Sequence, residues 1–412
     1  MRIPRSILFC AAAGCSAGSD TAGVDAAIAL DATPDAAVFA LTHVPLTGCG
    51  FSYTGEFAIG GSPFRLIIDT GSATLAVADA NCASCTAAGV TGGYRPGTTG
   101  TDLHEPASST YGDGSLGWKG EIYRDNVSAG SLPAAPVAFG DITSQTDFFD
   151  SAPCGDPQGI LGMAPPAGLI AGTTSFPSQL ATMGAVDVFA LHYCVGPGDM
   201  WLDGYDPAAV TADPMWVDMN MTSYFYTVSL DDVAVDGHSV GVPSASYGQP
   251  LVDSGGPSLY LPPAAYTAVI TMVGASPAFQ ARFGGASFFS SSGTGCQDSS
   301  ETREQIDAAL PKLTLKIGSP PVSIDLPATA SYLQTFPNGG HSTYCAAIFT
   351  SPGLVDLGNT LIRAGLVIFD RVHSRMGFAP ATPCNDVLTR QVTPTRRMLQ
   401  PISRREPARP SP

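Results

Sequence analysis

Two aspartates in this chain repeat one local pattern. Ile67-Ile68-Asp69-Thr70-Gly71-Ser72 recurs as Leu251-Val252-Asp253-Ser254-Gly255-Gly256, an apolar pair running into Asp, a hydroxyl residue and glycine. A single such tripeptide is an ordinary turn, because Asp and Gly are common turn residues. Two of them, one in each half of the chain, supply what amide hydrolysis by paired carboxylates requires. One carboxylate must be ionised to take a proton from water. The other must be protonated, to polarise the carbonyl and later assist the leaving amine. Like charges about 3 Å apart do not both ionise, so such a pair shares a proton and titrates as a unit. Thr70 and Ser254 are placed to bond across beneath the pair. Gly71 and Gly255 let the backbone turn tightly and leave room for a substrate.

The elements around the two motifs repeat as well. Ile160-Leu161-Gly162 follows the first Asp, and Val355-Asp356-Leu357-Gly358 follows the second at a similar distance. Two copies of one device predict two related lobes whose Asp loops meet at the interface. The boundary is expected near Asp206–Pro214. Phe64–Ile68, Pro136–Phe139, Tyr224–Leu230, Leu313–Ile317 and Leu366–Phe369 read as strands, being rich in β-branched and aromatic residues between Gly, Pro, Asn and Asp. Helices are expected only at Ser175–Met183, Pro262–Val273 and Glu301–Ala309.

Composition agrees with a β-rich body. Of 412 residues only 13% are charged, while Gly and Pro number 46 and 35. The length suffices for two domains. A formal charge of −16 excludes nucleic acid as a partner, since phosphate neutralisation needs clustered Lys and Arg. It also suits an acidic medium, where part of the self-repulsion is titrated away.

Ten cysteines point to an oxidising compartment. The N-terminus carries Arg2 and Arg5, a short apolar run from Ile7 to Ala13, and then Gly14-Cys15. This resembles a bacterial lipoprotein signal with Cys15 as the lipidated first residue; a cleaved secretory signal is the other reading. Residues 1–15 are thus expected to be a signal and 16–44, which contain no Lys or Arg, a flexible tether. Residues 45–208 and 209–386 are expected to form the two lobes, and 387–412 a basic tail. No later run has the ~20 apolar residues of a membrane span. Cys82-Ala83-Ser84-Cys85 has no second paired motif beside it, so neither a metal nor another cofactor is expected.

Between about Phe51 and Cys384 the chain resembles the pepsin-like aspartic proteases. Asp69-Thr70-Gly71-Ser72 and Asp253-Ser254-Gly255 match the two catalytic motifs. Tyr111-Gly112-Asp113-Gly114-Ser115 is similar to the flap hairpin that closes over substrate, with Tyr111 as the flap tyrosine. Gly159–Ala164 resembles the segment behind the first Asp, and Phe369–Ala379 the terminal hairpin. The resemblance implies an all-β, bilobal fold: two related β-barrel-like lobes, with the active site in the cleft between them. It implies endopeptidase activity on unstructured chains, with a preference for large apolar side chains beside the cut, in a protein acting as a monomer. It also suggests the disulfides Cys194–Cys384 and Cys296–Cys345, as in the memapsin branch, and Cys82–Cys85. Cys49–Cys154 is left by elimination.

Three departures stand out. Gly256 occupies the place of a Thr or Ser whose hydroxyl bonds the outer oxygen of the second Asp, so Asp253 is expected to lack one donor. Ala76 replaces a Trp that often supports the flap tyrosine. Residues 16–44 contain no Lys to hold against the aspartates as an inhibitory segment. Two other readings stay open here. Asp253-Ser254-Gly255-Gly256-Pro257 is also the string around a serine-protease nucleophile, which would make Ser254 the attacking group. Val252 in place of Gly, and the surroundings of His43, His104 and His192, speak against it. A non-catalytic binder on the pepsin fold is the second.

Overall fold

The computed structural model describes residues 39–149, 154, 156–290, 295–338 and 340–383. Among these, thirteen strands join in one sheet bordered by Met215–Asp218 and Thr101–Tyr111. The sheet carries the first Asp and the flap. It also admits the chain's last hairpin: Leu366–Asp370 pairs antiparallel with Val188–Tyr193, with Val367 opposite Leu191. Thr42–Gly48 and the hairpin Leu366–Ala379 are therefore woven into one framework. Three smaller sheets form the body around the second Asp, the largest of them four-stranded and containing Leu230–Val235, Leu313–Ile317 and Val322–Leu326.

The strand Ser62–Asp69 shows how the framework aims the first of the two repeated aspartates. Successive side chains of a strand point to opposite faces. Leu66 and Ile68 enter the main core, whereas Ile67 packs in a second cluster with Ala76, Ile160, Tyr111 and Trp118 at the base of the flap. Burying each such aliphatic side chain contributes about 1.5–3 kcal/mol. A slip of one residue would exchange these faces, so the register that delivers Asp69 at the strand's end is strongly fixed. Parallel pairing with Gly159–Gly162 places Gly162 beside Asp69.

Three expected helices form. Phe176–Thr182 is capped by Ser175, Pro263–Ala275 starts on proline, and Arg303–Ala309 has a capping box between Thr302 and Gln305. Ala83–Ala87, Pro277–Phe283 and Gly358–Ala364 are helical in addition. Tyr224–Leu230 departs from expectation. It makes an isolated bridge at Thr227, and the regular strand begins only at Leu230. Tyr226 there accepts the Val252 N–H on its backbone carbonyl at 3.1 Å, and its hydroxyl donates to the Met163 carbonyl at 2.8 Å. The strand Thr42–Gly48 begins inside the stretch read as tether. The remaining tether, the signal with Cys15, and the tail lie outside the described residues. No helix among those described is long and apolar enough to cross a membrane.

Candidate active site

Asp69 and Asp253 are both fully buried, and their carboxyls face one another within hydrogen-bonding reach. The approach is close enough that a Cβ on Gly71 would lie 2.5 Å from Asp253 Oδ1, and one on Gly255 2.5 Å from Asp69 Oδ1. Glycine at both positions is thus a steric requirement of the pair itself.

Below the carboxyls, Thr70 and Ser254 cross-bond. The Thr70 N–H donates to Ser254 Oγ at 2.8 Å and the Ser254 N–H donates to Thr70 Oγ1 at 2.8 Å. Each hydroxyl then donates onward to the opposite strand: Thr70 Oγ1 to the Val252 carbonyl at 2.7 Å, and Ser254 Oγ to the Ile68 carbonyl at 2.8 Å. Four buried hydrogen bonds so lock two loops that are 184 residues apart in sequence. The same bonds dispose of the serine-nucleophile reading. Ser254 Oγ is committed to backbone groups, while His43 pairs with Asp199 and His104 with Asp102.

The two aspartates differ in their surroundings. Asp69 accepts from the Gly71 N–H at 2.8 Å through Oδ1 and from Ser72 Oγ through Oδ2. Asp253 accepts from the Gly255 N–H at 2.7 Å through Oδ1, and its Oδ2 has no hydrogen-bond partner among the described residues. Burial raises the pKa of both. Donors to Asp69 counteract this, whereas Asp253 is pushed well above the usual carboxyl range by burial and then by the neighbouring Asp69 and Asp356. These surroundings favour the anion at Asp69 over the anion at Asp253.

Tyr111 ends the strand Thr101–Tyr111, opposite Leu116 at the start of the returning strand Leu116–Ser128. Gly112 and Gly114 take positive φ in the connecting turn, and Asp113 Oδ1 accepts the Ser115 N–H at 2.9 Å. Asp113 therefore caps its own turn. Sequence reasoning missed what holds Tyr111. Trp118, two residues into the returning strand, donates its indole N–H to the Tyr111 hydroxyl at 3.0 Å, and Phe148 packs against the phenol ring at 5.2 Å between centroids. The indole also lies against Gly140, close to Ala76, so a small residue at 76 leaves room for a Trp arriving from the flap itself. The apolar alternation Leu116, Trp118, Ile122 along the returning strand was the available signal.

Cysteine pairs Cys82–Cys85, Cys296–Cys345 and Cys49–Cys154 are formed, with Cα separations of 5.2, 4.0 and 5.7 Å. Cys296 and Cys345 sit opposite one another on paired strands. The Cys194–Cys384 pairing lies outside the described residues because Cys384 does. Among the described residues no group of three or more His, Cys, Asp or Glu is arranged to hold a metal ion.

Comparison with known proteins agrees with this geometry. A family model described as eukaryotic aspartyl protease matches residues 52–381. An aspartic protease of Phaffia rhodozyma is 28% identical over 329 residues, covering 79% of this chain and 76% of that protein. Pepsin-2B of Gadus morhua is 26% identical over 345 residues, covering 80% and 96%. Pepsin A of Sus scrofa is 28% identical over 339 residues, covering 80% and 81%. This chain belongs to the eukaryotic aspartyl protease family and is an aspartic endopeptidase of the pepsin type, acting on protein or peptide substrates.

Proposed function

We propose that the chain cleaves peptide bonds in acid by activating one water between Asp69 and Asp253. The observation that carries this reading is the four-bond cross-link through Thr70 and Ser254, which holds the two carboxyls face to face. Asp69 takes a proton from water as the oxygen attacks the carbonyl carbon. Asp253 gives its proton to the carbonyl oxygen, producing a neutral tetrahedral intermediate. On collapse the amine leaves with a proton from Asp69, and Asp253 recovers its own. Donors fixed before the reaction stabilise the developing charges without reorganisation.

The working range follows from the pair. Protonation of Asp69 at low pH removes the base, and ionisation of Asp253 at high pH removes the acid. The aromatic group of Tyr111, Phe148 and Phe149 behind the flap favours large apolar side chains beside the cut bond. Three disulfides among the described residues suit a protein exported to an oxidising compartment, held there by a lipid on Cys15 and acting as a monomer. No observation favours a non-catalytic binder. Digestion of casein or haemoglobin between pH 3 and 6, with and without pepstatin, tests the proposal. Cleavage that rises in acid and is blocked by pepstatin is expected; cleavage indifferent to both would overturn it.

A further inference from the structure

The two halves of the centre are built on one plan, and the plan is broken at two positions at once. Ile67 pairs in parallel with Ile160 in the first half, and Leu251 pairs in parallel with Asp356 in the second. Asp356 thus holds the place of an apolar strand residue. Gly256 correspondingly holds the place of Ser72, the hydroxyl that serves the outer oxygen of Asp69. The departures are spatially one event. A Cβ built on Gly256 would lie 2.6 Å from Asp356 Oδ2, so that carboxyl oxygen fills the volume where a residue-256 side chain would begin.

Asp356 is completely buried, and its backbone is bonded on both sides. Its N–H and carbonyl bond with Tyr260, and the flanking residues bond with Leu251. Oδ1 accepts the Gly358 N–H at 2.8 Å. Among the described residues Oδ2 has no hydrogen-bond partner, and neither has Asp253 Oδ2. Two buried carboxyl oxygens lacking donors, on side chains held in place, are costly unless one of them carries a proton for the pair.

We propose that Asp356 is a positioning residue of the catalytic centre, a neutral carboxylic acid whose Oδ2–H serves the outer oxygen of Asp253 as the Ser72 hydroxyl serves Asp69. The proposal rests on reading Asp69 and Asp253 as the proteolytic pair. The titratable groups facing Asp356 are Asp253 and Asp69 across the centre and Tyr260 on the adjoining strand Leu259–Leu261. None of these supplies a positive charge that would favour the Asp356 anion. Burial pushes the carboxyl well above its usual range, against the backbone N–H groups of Gly358 and Asp253, which act the other way; this is the direction a donor requires.

The test compares Asp356→Ile, Asp356→Asn, Gly256→Thr and the double variant Gly256→Thr/Asp356→Ile, each checked for folding by circular dichroism. Asp356→Ile copies the first half of the plan but leaves Asp253 without a donor. Its kcat should fall about 10- to 100-fold, the range for losing a hydrogen bond to a charged group. The alkaline limb of its kcat–pH profile should move to higher pH, because Asp253, the acid of the pair, loses a donor that favours its anion. Asp356→Asn keeps an N–H donor and should retain kcat within about fivefold. Gly256→Thr alone should lose activity or fail to fold, since the new side chain meets Asp356. In the double variant the threonine hydroxyl enters the vacated space, so kcat and the alkaline limb should return toward wild type. This non-additivity distinguishes the role from a merely structural one.

Three results would overturn the inference: wild-type kcat and pH profile in Asp356→Ile, folded Asp356→Asn as impaired as Asp356→Ile, or a double variant no better than Asp356→Ile. If Asp356→Ile does not fold, the asparagine and double variants decide alone. Asp69→Asn runs alongside as a control. Undiminished cleavage there would defeat the two-aspartate reading, whereas the Asp356 variants in an enzyme that Asp69→Asn inactivates speak only to the inference.

Discussion

Thr70 and Ser254 each give a backbone N–H to the other's hydroxyl at 2.8 Å, and this reciprocal contact keeps Asp69 and Asp253 in register. Thr70→Val preserves volume but leaves the Ser254 N–H and the Val252 carbonyl without partners. Two buried polar groups so orphaned cost about 2–4 kcal/mol. Urea denaturation should show that loss, and kcat should fall at least about tenfold as the carboxyls lose alignment. Wild-type values in both measurements would leave the cross-bond without a role.

The indole of Trp118 holds the Tyr111 hydroxyl at 3.0 Å. Trp118→Phe keeps the buried ring and removes only the N–H. Flap closure gathers the substrate, so the deficit should fall mainly on kcat/KM, by roughly tenfold, with thermal stability little changed. Steady-state kinetics on a peptide substrate checks this; an unaltered KM and kcat would show that the flap tyrosine needs no support from the indole.

A second carboxyl pair governs stability rather than catalysis. Asp141 is buried, and its pKa is pushed up to about 8, first by burial and then by the neighbouring Asp79. The folded state therefore binds a proton that the unfolded chain releases near the ordinary carboxyl value of about 4. Linkage gives the sign: the native state holds more protons between these limits, so stability is fully present below about pH 4 and declines as pH rises to about 8. Asp141→Asn removes the titrating group. Melting temperature plotted against pH should slope downward less steeply over that window in the variant, and an identical slope would contradict the assignment.

Arg371 ties the last hairpin to the first half of the chain. Its guanidinium is almost inaccessible, donating to Asp187 Oδ1 at 2.9 Å and to Ser178 Oγ at 2.9 Å. Arg371→Leu should lower the unfolding free energy by about 1.5–3 kcal/mol, the range for hydrogen bonds to charged groups. Chemical denaturation measures this, and kcat of the folded fraction should remain as in wild type because the aspartates lie on other elements.

Much of the catalytic centre was legible in the sequence because each half of it is local. Asp, hydroxyl and glycine are consecutive, and an apolar strand must precede them to carry the Asp to the interface. The expected strands at Phe64–Ile68 and Leu313–Ile317 form for the same reason, their apolar residues serving buried faces. What escaped were partners delivered by topology. Trp118 reaches Tyr111 only because a hairpin folds back. Pro277–Phe283 and Gly358–Ala364 are seven-residue helices without a side-chain cap to announce them, unlike the equally short Phe176–Thr182 and Arg303–Ala309. Tyr224–Leu230 had the composition of a strand, yet only Tyr226 of its aromatics enters the core, and the chain there is irregular. Asp356 was visible as an acid in an apolar-apolar-glycine element, beside a glycine where the other copy has serine. The two anomalies acquire a common meaning only when Gly256 and Asp356 are seen to share one volume.

The most direct test of the two-aspartate centre is the rate of casein cleavage by Asp69→Asn at the pH where the wild type is fastest, in a sample whose melting temperature shows it folded. The amide keeps the shape of the group but cannot take a proton from water, so the rate should fall by about a thousandfold or more. A folded Asp69→Asn protein that still cleaves at a tenth or more of the wild-type rate would contradict the mechanism.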